Sequence, residues 1–239
     1  MGRAYEVRKA SIQKTGAAKG KIYSTYAKKI YQAAKNGGVE VESNATLKRL
    51  IERAKKEQVP QDIIKRAIDK VNSGALESYI RNTYEIFGPG ASTLIVECLT
   101  DNVNRSVSSL RAVVNKCHVK MGAIGSVSYM YENLCIVSFK GLSEEDTLNA
   151  LILNDVDIID IESMEDEIIV YGEPQNLFKI KDAITKALPN VNFDAEEITM
   201  LAKEKVELNK EDLEIFERLV VMFEEVEDVS HIYHNVANV

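Results

Sequence analysis

Along the first third of the chain the apolar residues recur at intervals of three and four. At 100° per residue, Ile22, Tyr26, Ile30 and Ala33 share one side of a helix predicted from Lys21 to Asn36, with Tyr23, Ala27 and Ala34 flanking them. Lys21, Lys28 and Lys35 fall opposite at heptad spacing, with Lys29 at the edge. Gly37-Gly38 ends this helix. Ser43 or Asn44 is placed to cap a second helix with the stripe Leu47, Leu50, Ile51 and Ala54. Pro60 opens a third, which carries Ile63, Ile64, Ala67, Ile68 and Val71 and stops at Asn72-Ser73-Gly74. Three short amphipathic helices with basic outer faces predict a small bundle.

The pattern then changes period. Gly88-Pro89-Gly90 makes a turn after a short strand at Tyr84, and Leu94 to Leu99 is apolar enough for a buried strand. Thr100-Asp101-Asn102 offers caps to a helix whose apolar positions are Val103, Val107, Leu110, Val114 and Cys117, and Gly122 and Gly125 are expected to open another short strand. From Leu134 the order is strand (to Phe139), helix (Glu144 to Leu153), strand (Val156 to Ile161), strand (Ile168 to Tyr171), helix (Gln175 to Leu188) and strand (Val191 to Ile198). That βαββαβ order predicts a ferredoxin-like unit, which can close on itself. What lies outside it, the opening strands and helix and a final helix (Lys210 to about Glu225) with a strand (Val229 to Val236), has too little surface to bury alone. The expected fold is therefore α+β: a basic helical domain at 1–76, a discontinuous α/β domain at 77–133 and 204–239, and an inserted acidic ferredoxin-like domain at 134–203.

Charge sharpens this division. The net charge of -7 hides 17 Lys and Arg against 7 Asp and Glu in residues 1–72, an excess of +10, so the remainder stands at -17. Positive charge gathered at one end of an acidic chain points to a polyanionic partner. Residues 1–20, with Arg3, Arg8, Lys9, Lys14 and Lys19, read as a basic arm. The expected nucleic-acid contacts are these five together with Lys21, Lys28, Lys29, Lys35, Arg49, Arg53, Lys56, Lys65 and Arg66. A secondary expectation is an anion contact at Asn102, Asn104 and Arg105, where a helix start presents N–H groups, although a capped helix start is the plainer reading.

Other chemistry finds little footing. His231 and His234 would point to opposite faces of a strand, with no further ligand at metal spacing. Cys117 and His118 are adjacent in a predicted helix and cannot face each other. Asp155, Asp157, Asp160 and Glu162 read as a solvated face rather than an acid–base pair. Phosphate-loop and nucleophile motifs are absent, so no catalytic residue, metal or cofactor is expected and the protein reads as a non-enzyme. The three cysteines show no paired spacing and suit a reducing compartment. No apolar run approaches the roughly 20 residues of a membrane span. The sequence gives no oligomeric state.

Several quoted runs resemble the YebC-type family of probable transcriptional regulators, whose mitochondrial relatives are translational activators. They are Gly20-Lys21-Ile22-Tyr23, Ala33 to Gly38, Asn44-Ala45-Thr46-Leu47, Val59 to Ile64 with Ala67-Ile68, Tyr84 to Gly90, Glu97 to Arg105 and Gly125 to Tyr129. The resemblance runs end to end, and Leu99-Thr100-Asp101-Asn102-Val103-Asn104-Arg105 is its most specific part. One departure stands out: Gly2-Arg3-Ala4-Tyr5 replaces the family's Gly-His-Ser-Lys-Trp, and the chain has no Trp. The resemblance implies three domains with a discontinuous middle, a cytoplasmic location and nucleic-acid binding. A DNA-binding regulator is the first expectation, and a ribosome- or RNA-associated translational activator using the same basic surface is the alternative.

Overall fold

The structure is a computed structural model that describes residues 16–73 and 78–239, with side chains from residue 19 onward. Helix α1 (Gly16–Gly37) begins five residues before the periodic pattern does, so the end of the expected basic arm is helical. Arg3, Arg8, Lys9 and Lys14 lie outside the described residues. Asn44 rather than Ser43 caps α2 (Ala45–Lys56), its side chain accepting from the Leu47 amide at 3.0 Å while donating to the Ala33 and Gly38 carbonyls. One buried amide thus ties the second helix to the end of the first. Helix α3 (Gln61–Asn72) follows Pro60, whose missing N–H costs nothing at a helix start. Ile30, Tyr31, Ala34, Leu47, Ala54, Ile64 and Ala67 form the core of the three helices.

The chain groups into two compact units, one of which combines these helices with the first sheet. In that sheet β1 (Ile80–Phe87) pairs antiparallel with β2 (Thr93–Thr100), and β3 (Lys120–Met121) adds to the far edge of β1. Helix α4 (Val103–Lys116) lies between β2 and β3 in sequence. After α7 (Lys210–Glu225), the C-terminal strand β8 (Val229–His234) pairs with β2, giving the order β3-β1-β2-β8. Ile86, Leu94, Val96 and Cys98 on one face of this sheet meet Leu110 and Val114 of α4 and Phe216, Leu219 and Phe223 of α7.

The strand expected after Gly122 is absent. Residues 122–128 instead loop around the buried carboxylate of Glu85, which accepts from the backbone N–H groups of Gly125 (2.7 Å), Val127 and Ser128 (3.0 Å). Amides aimed at one carboxylate cannot also serve a strand ladder. Burial would raise the pKa of Glu85, but these hydrogen bonds outweigh it and hold the pKa below its usual value.

The second unit holds β4 (Tyr131–Lys140), α5 (Glu144–Leu153), β5 (Asp160–Met164), β6 (Glu167–Gly172), α6 (Leu177–Ala187) and β7 (Phe193–Ala202). Its antiparallel sheet has the order β5-β6-β4-β7. Cys135, Val137, Phe139 and Val170 face α5 and α6, whereas Leu134, Ile136, Ile169 and Tyr171 are buried on the opposite face. The strand expected at Val156–Ile161 starts later, at Asp160. Asp155 takes a left-handed φ of 54° and the Val156 amide bonds back to the Leu151 carbonyl at 3.1 Å, so Val156 belongs to the closure of α5. Helix α6 likewise starts two residues late, behind a 3-10 turn at Pro174–Asn176.

Candidate nucleic-acid interface

The lysines of α1 are not an open cationic face. Lys21 Nζ donates to the Glu224 carbonyl at the end of α7 (2.6 Å), and burial pushes its pKa down to about 8 despite the nearby Glu224 charge. Lys28 donates to the Leu99 carbonyl (3.2 Å), pairs with Asp228 (3.3 Å) and lies over the Tyr79 ring. Lys29 Nζ lies 3.3 Å from His231 Nε2, and burial lowers its pKa, partly offset by Glu97. Helical periodicity placed Lys21 and Lys28 opposite the apolar stripe and Lys29 at its edge. They were expected to face solvent, and they face the first sheet instead, because α1 packs between the bundle and β8. Lys19 and Lys35 are exposed on the same helix.

Asp228 is the centre of this contact and is only 3% exposed. Besides Lys28 it accepts from Arg105 (Nη2 2.8 Å, Nε 3.1 Å) and from the Ser106 hydroxyl (2.9 Å), and Arg105 also pairs with Asp101 at 2.8 Å. Burial would raise the pKa of Asp228, but the Arg105 and Ser106 hydrogen bonds and the Lys28 charge bring it below the usual carboxylate range. In return, hydrogen bonds to Asp228 and Asp101 raise the pKa of Arg105. The expected anion contact therefore looks different in three dimensions. The Asn102 side chain is used as a cap, accepting from the Arg105 amide at 3.1 Å, and the guanidinium of Arg105 is already held by two carboxylates; Asn104 is exposed. Sequence reasoning did not single out Asp228, which lies 200 residues from Lys28 with no local motif to link them.

On α2 and α3 the basic residues face outward. Arg49, Lys56, Lys65 and Arg66 are exposed and Arg53 is half-buried. Lys48 is paired with Glu42 at 2.7 Å. Lys65 and Arg66 form no ion pair among the described residues, and the two adjacent cations project from the exposed face of α3, beside Asp62 and Asp69.

The remaining candidates take structural places. His234 stacks edge-on against Phe216 at 5.2 Å, whereas His231 lies beside Lys29. Helix α4 ends before Cys117, and His118 adopts a left-handed φ of 54° at the exposed turn. Cys98, Cys117 and Cys135 are all buried free thiols, and burial together with the Asp228 charge pushes Cys98 up to about 12. Asp155, Asp157 and Asp160 are exposed. Among the described residues no helix is long and apolar enough to cross a membrane.

Comparison with known proteins places this geometry. Residues 3–74 match the profile of the TACO1/YebC protein N-terminal domain, and residues 79–236 match that of the TACO1/YebC second and third domain. A probable transcriptional regulatory protein of Alteromonas mediterranea is 42% identical over 98% of each chain. Another, from Photobacterium profundum, is 44% identical over the same shares. Among solved structures, a conserved hypothetical protein of Aquifex aeolicus superposes with a TM-score of 0.73 at 31% identity, covering 94% of this chain and 92% of that one. The names of these relatives lend no support to the ribosome-associated alternative.

Proposed function

The chain belongs to the TACO1/YebC family, and from that premise we propose that it is a DNA-binding transcriptional regulator that grips the phosphate backbone through its N-terminal helices. The observation that carries this reading is the outward-facing cation set of α2 and α3, in particular Lys65 and Arg66, in the part of the chain with the +10 excess. Arg49, Arg53 and Lys56 extend the set, with Lys19 and Lys35 at the two ends of α1. Exposed Arg and Lys bind phosphate oxygens without reading sequence, so this surface positions the protein on a duplex rather than selecting a site. In this reading residues 1–76 are the contacting domain, 77–133 with 204–239 the platform on which α1 rests, and 134–203 an acidic domain that keeps clear of the polyanion. The names carried by the relatives support regulation of transcription as the outcome.

The test is titration of the full chain onto a fluorescein-labelled DNA duplex at several salt concentrations, read by anisotropy. A full chain is needed because Lys21, Lys28 and Lys29 of α1 are engaged with residues 99–231. Binding should weaken steeply with salt, and Lys65→Glu with Arg66→Glu should make the slope of log K against log salt shallower by about 2, since each neutralised phosphate contributes about 0.9. A slope unchanged by the double variant would overturn the assignment, as would equal retention by heparin and duplex.

A further inference from the structure

Beyond residue 72 only 13 Lys and Arg stand against 30 Asp and Glu. Four of those 13 nevertheless gather around two adjoining hollows in the unit built on the first sheet, and the hollows share Val119 in their walls. The first, about 440 Å³, lies between the outer face of α4 and the edge strand β3; Arg111, Asn115 and Lys120 are its polar lining and no carboxylate is among its walls. The second, about 450 Å³, lies between the β1–β2 turn, the end of α4 and the start of α7, and is lined by Lys116, His118 and Arg218 with a single acid, Asp212. That carboxylate is engaged within its own helix start, accepting from the Asn209 amide at 2.7 Å.

Part of this basic lining has local structural work. Arg218 donates to the Lys116 carbonyl at 3.1 Å, closing the end of α4, and Lys116 and His118 sit where a helix C-terminus favours cations. A lysine on a short edge strand such as β3 discourages strand addition. None of these roles involves Arg111. Arg111, Lys116 and Lys120 are exposed and form no ion pair among the described residues, although acids outnumber bases by 13 to 8 in residues 73–128 and 205–239. Arg111 and Lys120 around the acid-free first hollow repel one another, and an external anion relieves that repulsion. Because the two hollows adjoin, the surface is extended, which suits a chain of phosphates better than one small anion.

We infer that this groove is a second contact for the phosphodiester backbone of a nucleic acid, separate from the cations of α2 and α3. The inference rests on the nucleic-acid reading above, and its test separates the two. Full-length protein carrying Arg111→Glu and Lys120→Glu is titrated onto the labelled duplex, and in parallel onto a labelled single-stranded RNA, beside the Lys65→Glu, Arg66→Glu protein. The groove variant is expected to bind the duplex at least about tenfold more weakly at low salt, with a slope shallower by about 2, while Arg111→Lys with Lys120→Arg retains binding. Thermal unfolding shows whether the variant is folded, and Arg111→Gln with Lys120→Gln replaces it if it is not, with a smaller loss expected. Normal binding by the groove variant while the α3 variant fails overturns the groove and leaves the α2–α3 reading standing. Loss in neither variant, or no binding by the wild type, overturns both. A loss confined to RNA upholds the groove and overturns DNA as its polymer.

Discussion

Two sets of lysines and arginines, alike in the sequence, are put to opposite uses. Those on α1 (Lys21, Lys28 and Lys29) are turned inward and spent on a carbonyl, on Asp228 and on the His231 ring. Those on α3 (Lys65 and Arg66) project from the surface with no partner among the described residues. The difference teaches that net charge along a segment does not measure the charge available to a ligand. Part of the +10 excess is consumed in holding the helical bundle to the sheet. A buried pair of this kind is better evidence of fixed geometry than of large net stability, because desolvation offsets much of the attraction.

The comparison breaks most visibly at Asp228. Asp228→Ala leaves Lys28 without its carboxylate and Arg105 half-satisfied, and should lower stability by about 3–5 kcal/mol in a denaturant titration. Lys28→Met keeps Arg105 and Ser106 on Asp228, so a smaller loss of about 2 kcal/mol is expected. Acid should reproduce the first effect without mutation. The folded-state pKa of Asp228 is depressed, so its contribution is present above the unfolded value of about 4 and is lost as pH falls through the lower folded value. In Asp228→Asn that portion of the acid sensitivity should vanish, which urea titrations across the acid range can check. Lys65→Glu with Arg66→Glu should do the reverse of all these, moving stability by less than about 0.5 kcal/mol while weakening DNA binding. A separate effect is alkaline. The folded pKa of Lys21 is lowered to about 8, so the unfolded chain binds more protons between about pH 8 and 10 and stability rises across that window, and Lys29 is shifted in the same direction. Lys21→Met should flatten the rise.

How far the sequence carries can be followed element by element. Helices with a clear cap and stripe were legible almost to the residue, as Glu144–Leu153 and Lys210–Glu225 demonstrate. Strand ends were legible only where no capping geometry intervened, so the left-handed Asp155 delayed β5 and the Glu85 carboxylate turned an expected strand into a loop. For the candidate interface, periodicity placed Lys21 and Lys28 opposite the apolar stripe of α1 but could not reveal what that side would meet. Asp228 reaches Lys28 across most of the chain, and such pairings are set by tertiary packing, not by any local pattern. The cations of the groove around Val119 were invisible for the same reason, since α4, β3 and α7 bring them together from separate stretches.

The first and last strands of the second unit are register partners, Tyr131 opposite Ala202, and the Lys203 amide donates to the Met130 carbonyl at 2.9 Å. The chain therefore enters and leaves that unit through neighbouring strands, about 5 Å apart. Removing residues 129–204 should therefore leave a gap that a linker of a few residues bridges, which the fold of the shortened chain can check.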